Sequence, residues 1–405
     1  AVVVGRNVVS TVIDRISRAL ILHRLASWRH SRIEFHFPDG TTTTVGDLAA
    51  DMVDTVNVAD DRVFRRILLG GSTGAGEAYV DGQWSTPDLQ GLVGRMLQAR
   101  DQVTLDAYLS WPRRTLDYLR HSLRPNSRKG SAQNIHAHYD LGNEFFEIFL
   151  DDSLAYSCAL WDAADDLHEA QREKFERICQ ELNLREGDRV LEIGCGWAGF
   201  AMYAARTRKV NVVAVTISRS QFELATARVA AAHLERQVEI VLADYRDIGG
   251  QYDRVVSIEM FEAVGREYWD LYFEVCSKVL RPGGLMFLQT IGIPDGHASD
   301  DFRASGWISK HIFPGGVLPA LVEIRESLRR GGNSLVVQGS REIGLHYVRT
   351  LDEWRRRFWK GEARVRALGF DERFVRLWDF YLAACSAAFE AQVVRDVQLI
   401  LERQD

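Results

Sequence analysis

Apolar residues follow two different rhythms along this chain. Beyond about residue 187, short and nearly continuous apolar runs recur: Arg189-Val-Leu-Glu-Ile193, Val210 to Thr216, Val238 to Ala243, Tyr252-Asp-Arg-Val-Val-Ser257, and the stretch after Leu280-Arg-Pro-Gly-Gly284. Amphipathic segments separate them. Runs of this length alternating with helices predict a parallel α/β sheet covered on both faces. The N-terminal part reads differently. There Arg32-Ile-Glu-Phe-His-Phe37 alternates apolar and polar positions and leads into Pro38-Asp39-Gly40, a strand ending in a hairpin turn. Gly76 to Trp84 reads as a loop-and-helix segment with buried aromatics. Arg120 to Asn134, carrying Arg124, Pro125, Arg128, Lys129 and Gly130, has no hydrophobic period and predicts a connection. The expected organisation is a small N-terminal α+β domain over 1–120, a basic linker over 121–134 and a large α/β domain over 135–405.

Composition narrows the partners. The 405 residues are 46% hydrophobic and 26% charged, and the net charge is −6, which suits a globular chain and argues against nucleic acid. The five cysteines (Cys158, Cys179, Cys195, Cys276 and Cys385) are odd in number and scattered, so neither a disulfide framework nor a zinc site is expected. That usage fits a reducing cytoplasm. His136, His138, His311 and His346 are too dispersed to nominate a metal, and none is expected. The apolar start is broken by Arg6, Asp14, Arg15 and Arg18, so neither a membrane span nor a cleavable signal is predicted. Arg6, Arg15, Arg18, Arg24, Arg29 and Arg32 face a single acid, Asp14, in that stretch. Such a segment suits either a solvated helix face or the surface of an anionic membrane.

The first α/β strand is followed by Gly194-Cys-Gly196-Trp-Ala-Gly199, the G-x-G-x-x-G spacing of a nucleotide turn. Glu192, two residues earlier, changes its meaning: a carboxylate would repel a pyrophosphate but suits a ligand carrying an ammonium and a sulfonium. S-adenosylmethionine has both. The next strand ends in Thr216, with Gln221 beyond, where an NAD site would want an acid; these are neutral partners for hydroxyls. Asp244 and Tyr245 follow the third strand, placed to bracket an adenine. An NAD-dependent oxidoreductase is disfavoured by Glu192 and Thr216.

These motifs have a familiar order. From His138-Tyr-Asp-Leu-Gly-Asn143 through Tyr156-Ser-Cys158, Val190 to Trp197, Val215 to Ser218, Asp244 to Asp247, Met260-Phe-Glu262, Thr290-Ile-Gly292, Ile312 to Gly316 and Tyr381 to Cys385, the chain resembles the cyclopropane-fatty-acyl-phospholipid synthase family of class I methyltransferases. The resemblance covers nearly all of 130–405. It implies a Rossmann-like, mostly parallel seven-stranded sheet with helical additions and an acyl-chain pocket in 135–405. It implies S-adenosylmethionine as cofactor, an unsaturated acyl chain of a membrane phospholipid as substrate, and a peripheral location at the inner face of the cell membrane. Tyr139, Tyr156 and Ser157 match positions that hold the methionine end of the cofactor. Bicarbonate is implied as the base, near Cys158, Glu262, Ile291 and Tyr347. A histidine completes that set in the family; here the position is Gln289, and the residue after Glu262 is Ala263. Glutamine donates a hydrogen bond but shuttles no proton.

Two products therefore stay open. With bicarbonate the product is a cyclopropane. With a protein carboxylate as base, for which Glu147 and Glu144 are the candidates, it is a methylene-branched chain that a flavoprotein reductase partner then reduces. A homodimer is also compatible. A non-catalytic cofactor-binding subunit has only Gln289 and Ala263 in its favour. Cys158 is read as contributing its backbone or its small size, and not as a nucleophile. The stretch holding Trp307, Ile308, Ile312, Phe313 and Pro314 lines an acyl channel or fills core.

Overall fold

The computed structural model describes residues 2–99, 141–297, 306–330 and 334–404, with side chains from residue 12 onward. Tyr139, the linker over 121–134, and His136 and His138 lie outside the described residues. Two compact units emerge. Among the described residues, one comprises 2–99, 306–312 and 365–391, and the other comprises 141–297, 313–330, 334–364 and 392–404. Residues 306–312 and 365–391, which the sequence reading set in the large domain, fall in the first unit.

The first unit opens with helix α1 (Val2–Leu25) and strands β1 (Arg32–His36), β2 (Thr42–Gly46) and β3 (Val53–Val58). Helix α2 (Arg62–Val80), the short β4 (Trp84–Ser85) and helix α3 (Leu89–Gln98) follow. The sheet runs β2-β1-β3-β4, and β1 and β2 form the antiparallel hairpin expected at Asp39-Gly40. Helix α2 bends at Gly71, whose φ of +54° a residue with a Cβ would reach only under strain. The buried aromatics expected near Tyr79 and Trp84 meet edge to face, with ring centroids 5.3 Å apart. The distant helix Glu372–Glu390 joins this unit: Tyr79 donates to buried Asp379 at 2.8 Å, and Arg376 donates to the Tyr79 carbonyl at 2.6 Å. Trp307 packs against Phe380 here, with centroids 4.7 Å apart, which gives it a core role.

The second unit begins with a short helix α4 (Asn143–Phe146) and helix α5 (Leu167–Glu181). It continues through β5 (Arg189–Ile193), α6 (Gly199–Arg208), β6 (Asn211–Thr216), α7 (Arg219–Ala231), β7 (Val238–Leu242), β8 (Tyr252–Ile258), α8 (Trp269–Val279) and β9 (Leu280–Gly292). Helix α9 (Leu321–Arg330), β10 (Leu335–Glu342), helix α10 (Gly344–Lys360) and β11 (Arg395–Arg403) complete it. The seven strands are ordered β10-β11-β9-β8-β5-β6-β7. Pairing is parallel from β9 through β7 and antiparallel where β11 joins β9 and β10, so the predicted mostly parallel sheet is present.

Alternation within each apolar run explains the layers. Val190, Val212, Ala214, Val256 and Phe287 point into one core with α5, α6 and α7. Leu191, Ile193, Val215, Val255, Met286 and Leu288 point into the other, against Trp269, Tyr272 and Phe273 of α8. Both faces are covered, which is why the strands read as unbroken apolar runs. Strand order reverses at β5, so the C-terminal ends of β5 and β8 flank the crevice where open α/β sheets bind ligands. Among the described residues no helix is long and apolar enough to cross a membrane, and no group of His, Cys, Asp or Glu is arranged to hold a metal ion.

Candidate active site

Two carboxyl groups emerge at neighbouring strand ends. Glu192, on β5, is 3% exposed, and its Oε2 has no hydrogen-bond partner among the described residues. Burial pushes its pKa up to about 8, partly offset by the Ala201 backbone N–H and the charge of Lys174. The turn after it is built for close approach. Gly194 has φ of +81°, and a Cβ there would meet Met260 at 2.5 Å. Gly196, at φ +53°, faces open space. Thr216 donates to Gln221 Oε1 at 2.9 Å, while Ser218 caps α7 by accepting from the Gln221 N–H. Tyr245 Oη is buried without a partner among the described residues. Both oxygens of Asp244 are engaged by Arg246, at 2.8 and 2.6 Å. Tyr156 leans on Phe146 and Trp354, with centroids 5.4 and 5.1 Å away. Ser157 accepts from the fully buried Lys174 Nζ at 2.6 Å. Burial lowers the pKa of that lysine.

The second carboxyl is one the sequence reading passed over. Glu259 lies just past β8 with φ of +49°, a conformation that glycine adopts more cheaply. Its Oε1 accepts from the Cys158 N–H at 2.8 Å and from Gln289 Nε2 at 2.8 Å, and its Oε2 accepts from the Tyr347 hydroxyl at 2.6 Å. Cys158 and Tyr347, expected around a bicarbonate, and Gln289, at the histidine position, thus converge on this side chain. Gln289 is held in register for this. Gln398 donates to its Oε1 at 3.0 Å, which turns the Gln289 amide nitrogen toward Glu259 and, at 3.1 Å, toward Asp396. Asp396 is fully buried, and burial followed by the Glu259 carboxylate pushes its pKa well above the usual carboxylate range.

Glu262 and Ile291 sit together beside this cluster. Glu262 Oε1 accepts from Thr290 Oγ1 at 2.9 Å and from the Ile291 N–H, and its Oε2 is buried without a partner among the described residues. Burial, then the charge of Glu259, raises its pKa to about 8. Cys158 is fully buried, and burial raises its thiol well above the usual value, as a packing role requires. Glu144 and Glu147 do not join the cluster; both are exposed, Glu147 near Arg228.

A pH effect on stability follows. Glu262 in the fold keeps its proton to about pH 8, whereas the same group with its usual value of 4.5 loses it much earlier on unfolding. Between those values the folded chain binds more protons, so stability falls as pH rises, by at most about 1.4 kcal/mol per unit for one group. Denaturant titrations across that window should show a shallower fall for Glu262→Gln. An equal slope would show that the group titrates normally.

A family model described as mycolic acid cyclopropane synthetase matches residues 126–399. The chain belongs to this family. It is 36% identical over 392 residues to the tuberculostearic acid methyltransferase UfaA1 of Mycobacterium tuberculosis, covering 95% of this chain and 90% of that one. It is 38% identical over 344 residues to the cyclopropane-fatty-acyl-phospholipid synthase of Escherichia coli, covering 85% and 86%. Among solved structures, mycolic acid cyclopropane synthase CmaA1 complexed with SAH and CTAB superposes with a TM-score of 0.62 at 31% identity, over 67% of this chain and 98% of that one. Membership makes this chain an S-adenosylmethionine-dependent methyltransferase. Within the family frame, Glu259 carried a legible signal: an acid directly after an apolar strand, three residues before Glu262. Asp396, Gln398 and Lys174 carried none, because only folding brings them near.

Proposed function

We propose that this chain adds a methyl carbon to the double bond of an unsaturated acyl chain in a membrane phospholipid, with Glu259 as the base. The convergence of Cys158, Gln289 and Tyr347 on the Glu259 carboxylate supports this most directly. Relatives named for a phospholipid and for tuberculostearic acid support a lipid substrate. S-adenosylmethionine, when bound, supplies the methyl group as an electrophile. The residues fit that group: Glu192 and Tyr245 each offer a buried oxygen without a partner among the described residues, and Gly196 faces open space in the turn between them.

An alkene that gains a methyl cation becomes a carbocation, which needs nearby negative charge and a proton acceptor. Glu259 takes a proton from the new methyl group, and the electron pair of that C–H bond forms a carbon–carbon bond. Immediate removal closes a cyclopropane. Removal after a hydride has migrated to the first cationic carbon, leaving a more substituted cation, makes a methylene branch. A carboxylate has about four lone-pair sites, and three here already accept hydrogen bonds. The remaining site is left to take the proton. A side-chain base in place of bicarbonate supports a methylene-branched chain as the product. A saturated branch would then need a hydride donor, which is the place for a flavoprotein partner.

Phospholipid vesicles with monounsaturated chains and methyl-labelled cofactor provide the test. Label should enter the acyl chains with the NMR signals of a terminal methylene. Ring signals would return the reaction to the cyclopropane outcome, and unlabelled lipid would sink the reading altogether.

A further inference from the structure

Helix α1 carries apolar residues on both faces. Its buried face carries Asp14, Ser17, Ile21 and Leu25, with Asp14 paired to Arg65 at 3.4 Å. Its outer face carries Val12, Ile13, Ile16 and Leu20, which are 50, 43, 55 and 48% exposed. At about 100° per residue these four fall in one stripe about 100° wide, with Arg15 on one flank and Arg24 on the other. A surface helix of a globular protein normally keeps its outer face polar. Among the described residues of this unit the stripe stays exposed.

We propose that α1 is a docking element for an anionic phospholipid bilayer, the stripe entering the headgroup boundary while the arginines meet phosphates. The inference rests on the lipid substrate proposed above, which the enzyme must collect from a membrane. Charge selects the occupant. Asp14 is the only acid among the first 33 residues, against six arginines, and it is turned inward onto Arg65. Arg15 and Arg29 are exposed. A second copy of the helix would set arginines against arginines, whereas an anionic surface complements both the stripe and its flanks.

The full chain, sedimented with vesicles of phosphatidylcholine alone and of phosphatidylcholine mixed with phosphatidylglycerol, tests this. Wild type should partition onto the anionic vesicles, less so as salt rises. Ile16→Asp with Leu20→Asp should lower that partition by about tenfold or more. Arg15→Glu with Arg29→Glu should remove the preference for the anionic lipid. All four positions are exposed, so melting curves should be unchanged. Unaltered partition of both variants overturns the proposal, as does a loss of self-association without a change in vesicle binding. Acyl labelling in detergent-dispersed phospholipid separates the two readings. Variants that still label there but leave the vesicles show α1 at work, and a wild type that labels nothing defeats the substrate reading while the vesicle result stands by itself.

Discussion

Glu259→Gln lowers kcat by about 10²–10⁴-fold, the range a general base contributes, while cofactor affinity stays within a few-fold of wild type. The amide keeps the shape of the side chain but cannot take a proton. It also turns a donor toward groups that now donate to Glu259: the Cys158 N–H, Gln289 and the Tyr347 hydroxyl. Glu259→Gly is the sharper companion. At φ of +49° glycine fits this backbone without strain, and its loss of the side chain leaves three donors facing a gap the size of a small carboxylate. Added bicarbonate or formate should restore part of the lost turnover in the glycine variant and none in the glutamine variant, measured by label in acyl chains. Near-normal turnover in Glu259→Gln would remove the residue from the chemistry. The product of the rescued variant also reports whether base position sets the branch between ring and methylene.

The second large effect concerns cofactor affinity. Glu192 is buried with one oxygen unpartnered among the described residues, and burial holds its pKa near 8. A cationic ligand favours the ionised form, so binding at neutral pH should release close to one proton. Affinity for S-adenosylmethionine should then rise by up to about tenfold per pH unit below pH 8 and level off above it. Glu192→Gln should weaken binding by about 10²-fold and flatten the profile, since a buried charge-assisted contact is lost. Calorimetry in two buffers of different ionisation enthalpy counts the protons. A flat profile in the wild type would place the cationic end of the cofactor elsewhere.

How much of this was readable beforehand depends on the distance over which the information acts. The parallel part of the sheet was legible because each of β5 to β9 holds a local apolar run and the glycine turn after β5 is contiguous, whereas the mixed pattern of β10 gave no such signal. Glu192 was legible for the same reason. The convergence on Glu259 was not, since it joins Cys158, Gln289 and Tyr347, which are far apart in the chain. Glu147 looked suitable by proximity to a motif, yet it ends a short helix with its side chain in solvent. The pairing of Asp244 with Arg246 lies two residues away in the chain, yet nothing in the motif announces it. Local pattern specifies the frame, whereas the partners of a buried charge are decided by strands that meet late.

The interleaving of the two units bears on how the chain is made. Tyr79 and Asp379, which seat the late helix, lie 300 residues apart in the chain. At about 5–20 residues per second that helix emerges on the order of tens of seconds after α2. During that time the surfaces of α2 and α3 that will receive this helix are bare, a natural occasion for chaperone capture.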